Sequence, residues 1–87
     1  MLSDPGIKDI KVKLGELVKL LRKKKGLSQE SLGNQLNLSR ITIQNLESGK
    51  NATLDTLLIV MQHFGLLNVF YDMLEGQTNN NNYDSLY

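Results

Sequence analysis

The chain has no cysteine, no tryptophan, one proline (Pro5) and one histidine (His63). Without cysteine there is no disulfide to staple the fold and no thiolate set for a structural zinc ion. His63 sits beside Phe64 with no cysteine ligand and no nucleophile–base partner, so neither a metal site nor an enzyme is expected, and no cofactor. No apolar run approaches the roughly 18 to 20 residues of a membrane-spanning helix. The N-terminal stretch MLSDPGIKDIKVK lacks the apolar core of a signal peptide. Absence of cysteine is compatible with a reducing cytosol, and a cytoplasmic protein is the expectation. There is no alternation typical of strands and no internal repeat. A core built from 87 residues is marginal, and here only tight helix packing or self-association can support it.

One sign of charge is missing from the second part of the chain. All ten Lys and Arg lie between Lys8 and Lys50, and residues 51–87 carry only the acids Asp55, Asp72, Glu75 and Asp84. The net charge of +1 therefore hides a basic half and an acidic half. Such asymmetry points to a polyanion as partner of the basic half.

The pattern of what is present is helical throughout. Residues 1–6 (MLSDPG) form a loose leader punctuated by Pro5 and Gly6. From Ile7 to Lys25, Ile10, Leu14, Leu17, Val18 and Leu21 recur at helical spacing. Lys23, Lys24 and Lys25 crowd the last turn, where cations suit the helix dipole, and Gly26 ends it. Ser28 caps a second helix running to about Leu36, with Leu32 and Leu36 on one face. Asn37 stands where the chain must turn sharply. Ser39 caps a third helix running to about Ser48, with Ile43 and Leu46 turned inward and Leu38 as an anchor ahead of it. Gly49 ends that helix. Thr53 caps a fourth, with Leu54, Leu57, Leu58, Met61 and Phe64 as its apolar stripe and Gly65 as its stop. A fifth covers roughly Asn68 to Glu75. The folded unit is thus 7–75, and the Asn-rich segment 76–87 is expected to be disordered when alone.

The third helix is unusual. One face is apolar; the other carries Arg40, Thr42, Gln44 and Asn45 where a buried helix would have leucine. A helix, a short turn and a helix over Ser28–Ser48 can form a stable wedge if the contact points are small or apolar. Gly33 permits close backbone approach, and Leu32, Leu38, Ile43 and Leu46 fill the space between. The outer face is then free to enter the major groove of duplex DNA, which is about 12 Å wide.

Arg22, Gly26, Ser28-Gln29, Leu32-Gly33, Leu38-Ser39, Ile43, Leu46-Glu47 and Gly49 together form a frame that resembles the phage repressor and Cro-like helix-turn-helix family, often called XRE. The resemblance covers about residues 10 to 74. It implies an all-α, compact five-helix, lambda-repressor-like domain that binds double-stranded operator DNA, usually as a homodimer on a palindrome, and acts as a repressor or autoregulator. It places Arg40, Ile41, Thr42, Gln44 and Asn45 at groove-facing positions, as base contacts. It places Ser28, Gln29, Ser39, Lys50 and Asn51 against phosphates, and makes Arg22 and Glu47 an internal salt bridge. Lys23 to Lys25 then either attract the polyanion from a distance or form a solvated helix end. Three features depart from the family. Gly33 stands where alanine is usual, at a cost in helix propensity. Asn37 replaces a common turn glycine. No cation follows Lys50, so the footprint should be compact.

Phe70, Tyr71, Met73 and Leu74 are more apolar side chains than one short helix can turn inward, and the excess suggests a dimer interface. The tail ends in Tyr83, Leu86 and Tyr87. Small members of the family often serve as antitoxins, so the alternative reading is an interaction module that holds a toxin partner and represses its own operon.

Overall fold

The computed structural model describes residues 4–80, which form five helices and, among the described residues, no strand. These are α1 (Ile7–Lys24), α2 (Gln29–Leu36), α3 (Arg40–Glu47), α4 (Leu54–His63) and α5 (Leu67–Asn80). The starts of the first four are each marked by a side chain that captures an orphan amide. Asp9 accepts the Gly6 N–H at 2.9 Å. Ser28, Ser39 and Thr53 accept the N–H groups of Ser31, Thr42 and Thr56 at 2.9, 3.0 and 3.1 Å. A hydroxyl three residues ahead of an N–H supplies an acceptor that the helix itself cannot.

The first four helices end alike. Gly26, Asn37, Gly49 and Gly65 all have positive φ (68°, 61°, 76° and 72°). The next N–H then reaches back to the last turn: Leu27 to the Arg22 carbonyl (3.1 Å), Leu38 to Gly33 (2.8 Å), Lys50 to Asn45 (2.9 Å) and Leu66 to Met61 (2.8 Å). This closure satisfies carbonyls that would otherwise be orphaned and, at three of the four ends, turns the following residue inward. Leu27, Leu38 and Leu66 all pack against the core as a result.

The core itself is Val18, Leu32, Ile43, Leu46, Val60 and Met61. α1 and α2 pack on α3, and α2 and α5 pack on α4. The apolar stripes differ in detail from the sequence reading. Ile10 is 49% exposed, because α1 turns its Gly15–Val18–Arg22 face to α3 instead. Leu54 is 69% exposed and Val60 is fully buried: Leu54 lies at the start of α4, beyond the edge of the core, whereas Val60 lies opposite α2 and α5.

α5 is the clearest difference. It does not stop at Glu75 but continues through Gly76 to Asn80, so residues 76–80 belong to a helix and not to a disordered tail. A glycine in a helix costs only about 1 kcal/mol, which hydrogen bonds of the continuing turns offset; Thr78 Oγ1 donates to the Leu74 carbonyl at 2.8 Å. The rest of the tail, with Tyr83, Leu86 and Tyr87, lies outside the described residues, as do residues 1–3 of the leader. No single described helix is long and apolar enough to cross a membrane.

Candidate nucleic-acid interface

α2, the turn and α3 form the wedge foreseen from the sequence. Gly33 sits at the tightest point of the wedge: a methyl there would lie 2.6 Å from the Leu38 carbonyl oxygen, so the turn backbone would have to shift to admit one. Glycine at this position therefore does more than lower helix propensity. It lets the chain reverse within Asn37–Leu38 and return immediately as α3.

α3 has eight residues, about 12 Å of helix, a length suited to lying in a DNA groove. Ile43 and Leu46 anchor it in the core. Arg40, Ile41 and Gln44 point the other way and are exposed; Asn45 and Thr42 flank them, half-buried. Ile41, at 52% exposure, is an apolar side chain held in solvent at the middle of this face. Arg40 Nη1 donates to Gln44 Oε1 at 3.5 Å, so the guanidinium and the amide lie side by side. Thr42 is less free: its hydroxyl lies 2.8 Å from Ser39 Oγ, and the two side chains serve the helix start.

Behind this face α3 is braced by a closed network. Arg22 Nε donates to Glu47 Oε2 at 2.6 Å and Nη2 to Oε1 at 2.9 Å, a two-pronged pair with side chains only 8% and 4% exposed. Arg22 Nη1 donates to the Leu27 carbonyl at 2.7 Å. Gln29 Nε2 donates to Glu47 Oε1 at 3.0 Å. One carboxylate thus ties α1, the start of α2 and the end of α3. Burial pushes the Glu47 carboxyl upward, but hydrogen bonds from Arg22 and Gln29, with the nearby charges of Arg22 and Lys19, prevail and hold it below its usual range. The bond to Glu47 raises Arg22 further, against the opposing effect of burial.

The phosphate candidates divide by what they already do. Ser28 and Ser39 cap helices. Gln29, assigned from the sequence to a phosphate, has its amide nitrogen engaged by Glu47, which orients the remaining carboxamide group. Lys50 is exposed. Asn51 Oδ1 accepts from Lys11 Nζ at 2.6 Å, tying the loop after α3 to α1. Lys11 had no place in the sequence reading, and a partner 40 positions away leaves no local signal. Gly15 was also missed: a methyl there would meet the Glu47 and Leu46 carbonyl oxygens, the latter at 2.7 Å. A glycine inside a strong helical pattern is the trace that could have found it.

The pattern of the family described as helix-turn-helix matches residues 18–68, more than half of the chain. The chain belongs to this family. It is a helix-turn-helix DNA-binding protein of the XRE type, and by kind a DNA-binding transcription regulator. No curated protein matches the chain. The matched span runs from Val18, a fully buried residue of α1, to the start of α5, and so contains the whole braced wedge of this helix-turn-helix protein.

Proposed function

We propose that this helix-turn-helix protein reads specific duplex sequences with the outer face of α3 and represses or autoregulates transcription as a homodimer on a palindromic operator. The observation that carries the reading is the division of α3: Ile43 is fully buried, while Ile41 is 52% exposed between Arg40 and Gln44. An exposed isoleucine flanked by a guanidinium and amides is poorly explained by solvation. It is well explained by a groove in which apolar carbon meets a thymine methyl, Arg40 meets guanine, and Gln44 or Asn45 meets adenine. Lys50 and Asn51 flank this face from the following loop and serve the backbone, with Gln29 held by Glu47 at the start of α2. Thr42, Ser28 and Ser39 contribute through the helix starts they hold.

Tyr71, Met73 and Leu74 are 66%, 55% and 58% exposed and supply a surface for pairing. Two-fold pairing places the two recognition helices about 34 Å apart, one turn of DNA. Selection of bound duplexes from a random pool tests the reading. A symmetric consensus is expected, with each lost base contact costing about 1–3 kcal/mol of discrimination. The variant Arg40→Ala/Asn45→Ala should stay folded and relax the preference at particular positions. Unchanged preference in that variant would defeat the assignment of α3 as reader.

A further inference from the structure

Several cations of the basic half are already engaged. Arg22 is held by Glu47, Lys11 by Asn51, and Lys13 by Glu16 at 3.1 Å. Lys19 differs. It is exposed and makes no ion pair among the described residues. It shares an open hollow of about 220 Å³ with Gln29, Gln44, Glu47 and Ser48. Three elements converge there: the second half of α1, the start of α2 and the last turn of α3.

The hollow is positive in spite of its carboxylate. Glu47 is neutralised by the two-pronged bond from Arg22, and Lys19 adds a charge with no acid of its own. Glu16, three residues before it, is taken by Lys13. Lys19 is near enough for its charge to be felt at the Glu47 carboxyl, with no bond between them. Gln29 adds a donor. A carboxylate only accepts, so the NH2 of Gln29 is the group that faces it, and that group carries two N–H bonds. One is given to Glu47 Oε1 at 3.0 Å, and the second is left for a ligand. A cation and an N–H donor held together are the requirements of an oxyanion site.

The position of the hollow selects the anion. Gln44 stands on the outer face of α3, and a helix in the major groove has the two sugar–phosphate strands as its walls. A hollow between Gln44 and the start of α2 lies where one strand must pass. Residues 51–87 hold no Lys or Arg, so the charge that meets the backbone comes from the basic half.

We propose that Lys19 of α1 and Gln29 of α2 together clamp one backbone phosphate of the DNA strand beside α3, with Lys19 as its charged ligand. The proposal rests on α3 as the reader of duplex DNA. It adds a phosphate ligand from a helix outside the helix-turn-helix. Arg22 and Glu47 act behind the clamp: they fix the Gln29 amide and cancel each other's charge, so the anion meets a net cation.

The test uses the duplex preferred by the parent, with binding measured over a range of salt concentrations where circular dichroism shows each variant folded. Lys19→Gln is expected to weaken binding about tenfold, the loss of one charge-assisted hydrogen bond. It should reduce the slope of log K against log salt by about 0.9 per bound subunit. The ranking of duplexes should not change, because phosphate contacts carry no base information. Lys19→Arg should keep the slope, as should Lys13→Gln, whose cation is already paired. Duplexes carrying single uncharged methylphosphonates locate the contact: at one position per half-site the parent should lose affinity and Lys19→Gln should not. A slope in Lys19→Gln no lower than in Lys13→Gln, an altered ranking of duplexes, or no such position would overturn the clamp and leave α3 as reader. A parent that prefers no duplex over another would overturn both.

Discussion

Removing the Glu47 carboxylate should be the most damaging polar substitution in the protein. Glu47→Ala leaves the Arg22 guanidinium 8% exposed with the Leu27 carbonyl as its remaining acceptor, and takes the acceptor of Gln29. Breaking a buried pair by deleting one partner costs about 3–5 kcal/mol, because an uncompensated charge stays behind. Folded domains are stabilised by only about 0.05–0.15 kcal/mol per residue, so a chain of this size starts with roughly 4–13 kcal/mol. The variant should therefore melt well below the parent, by about 4–8 °C for each kcal/mol lost. Urea unfolding followed by circular dichroism measures the loss directly. Arg22→Ala should behave alike, leaving the carboxylate with Gln29 alone. The double variant Arg22→Met/Glu47→Leu should recover at least half of either single loss, since the penalty lies in the unpaired charge. Acid should act on the same group. The fold holds the Glu47 carboxyl below its usual range, so its contribution is complete above the unfolded value of about 4.3 and vanishes as pH falls through the lower folded value. Raising the pH above neutral changes nothing through Glu47. A loss below about 1 kcal/mol in Glu47→Ala, or a double variant as unstable as the singles, would refute this account of the brace.

Two further substitutions separate backbone approach from helix propensity. Gly15→Ala should destabilise by about 1–3 kcal/mol despite the better helix former, because its methyl meets backbone carbonyls that cannot rotate aside. Gly76→Ala meets nothing within 4 Å and should instead stabilise α5 by up to about 1 kcal/mol, read as increased helix signal and melting temperature. Ser39→Ala should cost about 1 kcal/mol in urea unfolding by leaving the Thr42 N–H uncapped, and Ser39→Asp should restore most of it. Equal stability of Ser39→Ala and the parent would show that the capping bond contributes nothing.

Much of the helix-turn-helix was legible because its signals are local. Ser28, Ser39 and Thr53 announce helix starts by offering a hydroxyl three residues ahead of an amide, and Gly26, Gly49 and Gly65 announce ends by accepting positive φ. The apolar spacing of Ile43 and Leu46 likewise separated the inner from the outer side of α3. What the sequence by itself determined was thus the order of the five helices, the wedge, and the residues presented by its outer face. Short-range hydrogen bonds and a helical period are written in neighbouring residues.

Tertiary structure alone decided the rest. It chose the Gly15 side of α1 as the packed side, because only there can the backbone of α3 come close. It gave Gln29 to Glu47 and Asn51 to Lys11, pairings between positions 18 and 40 residues apart. It left the stripes of α1 and α5 partly uncovered by carrying α5 past the core to Asn80. Amphipathic spacing shows that a helix has an apolar side; which side finds a neighbour depends on how all the helices share a limited volume.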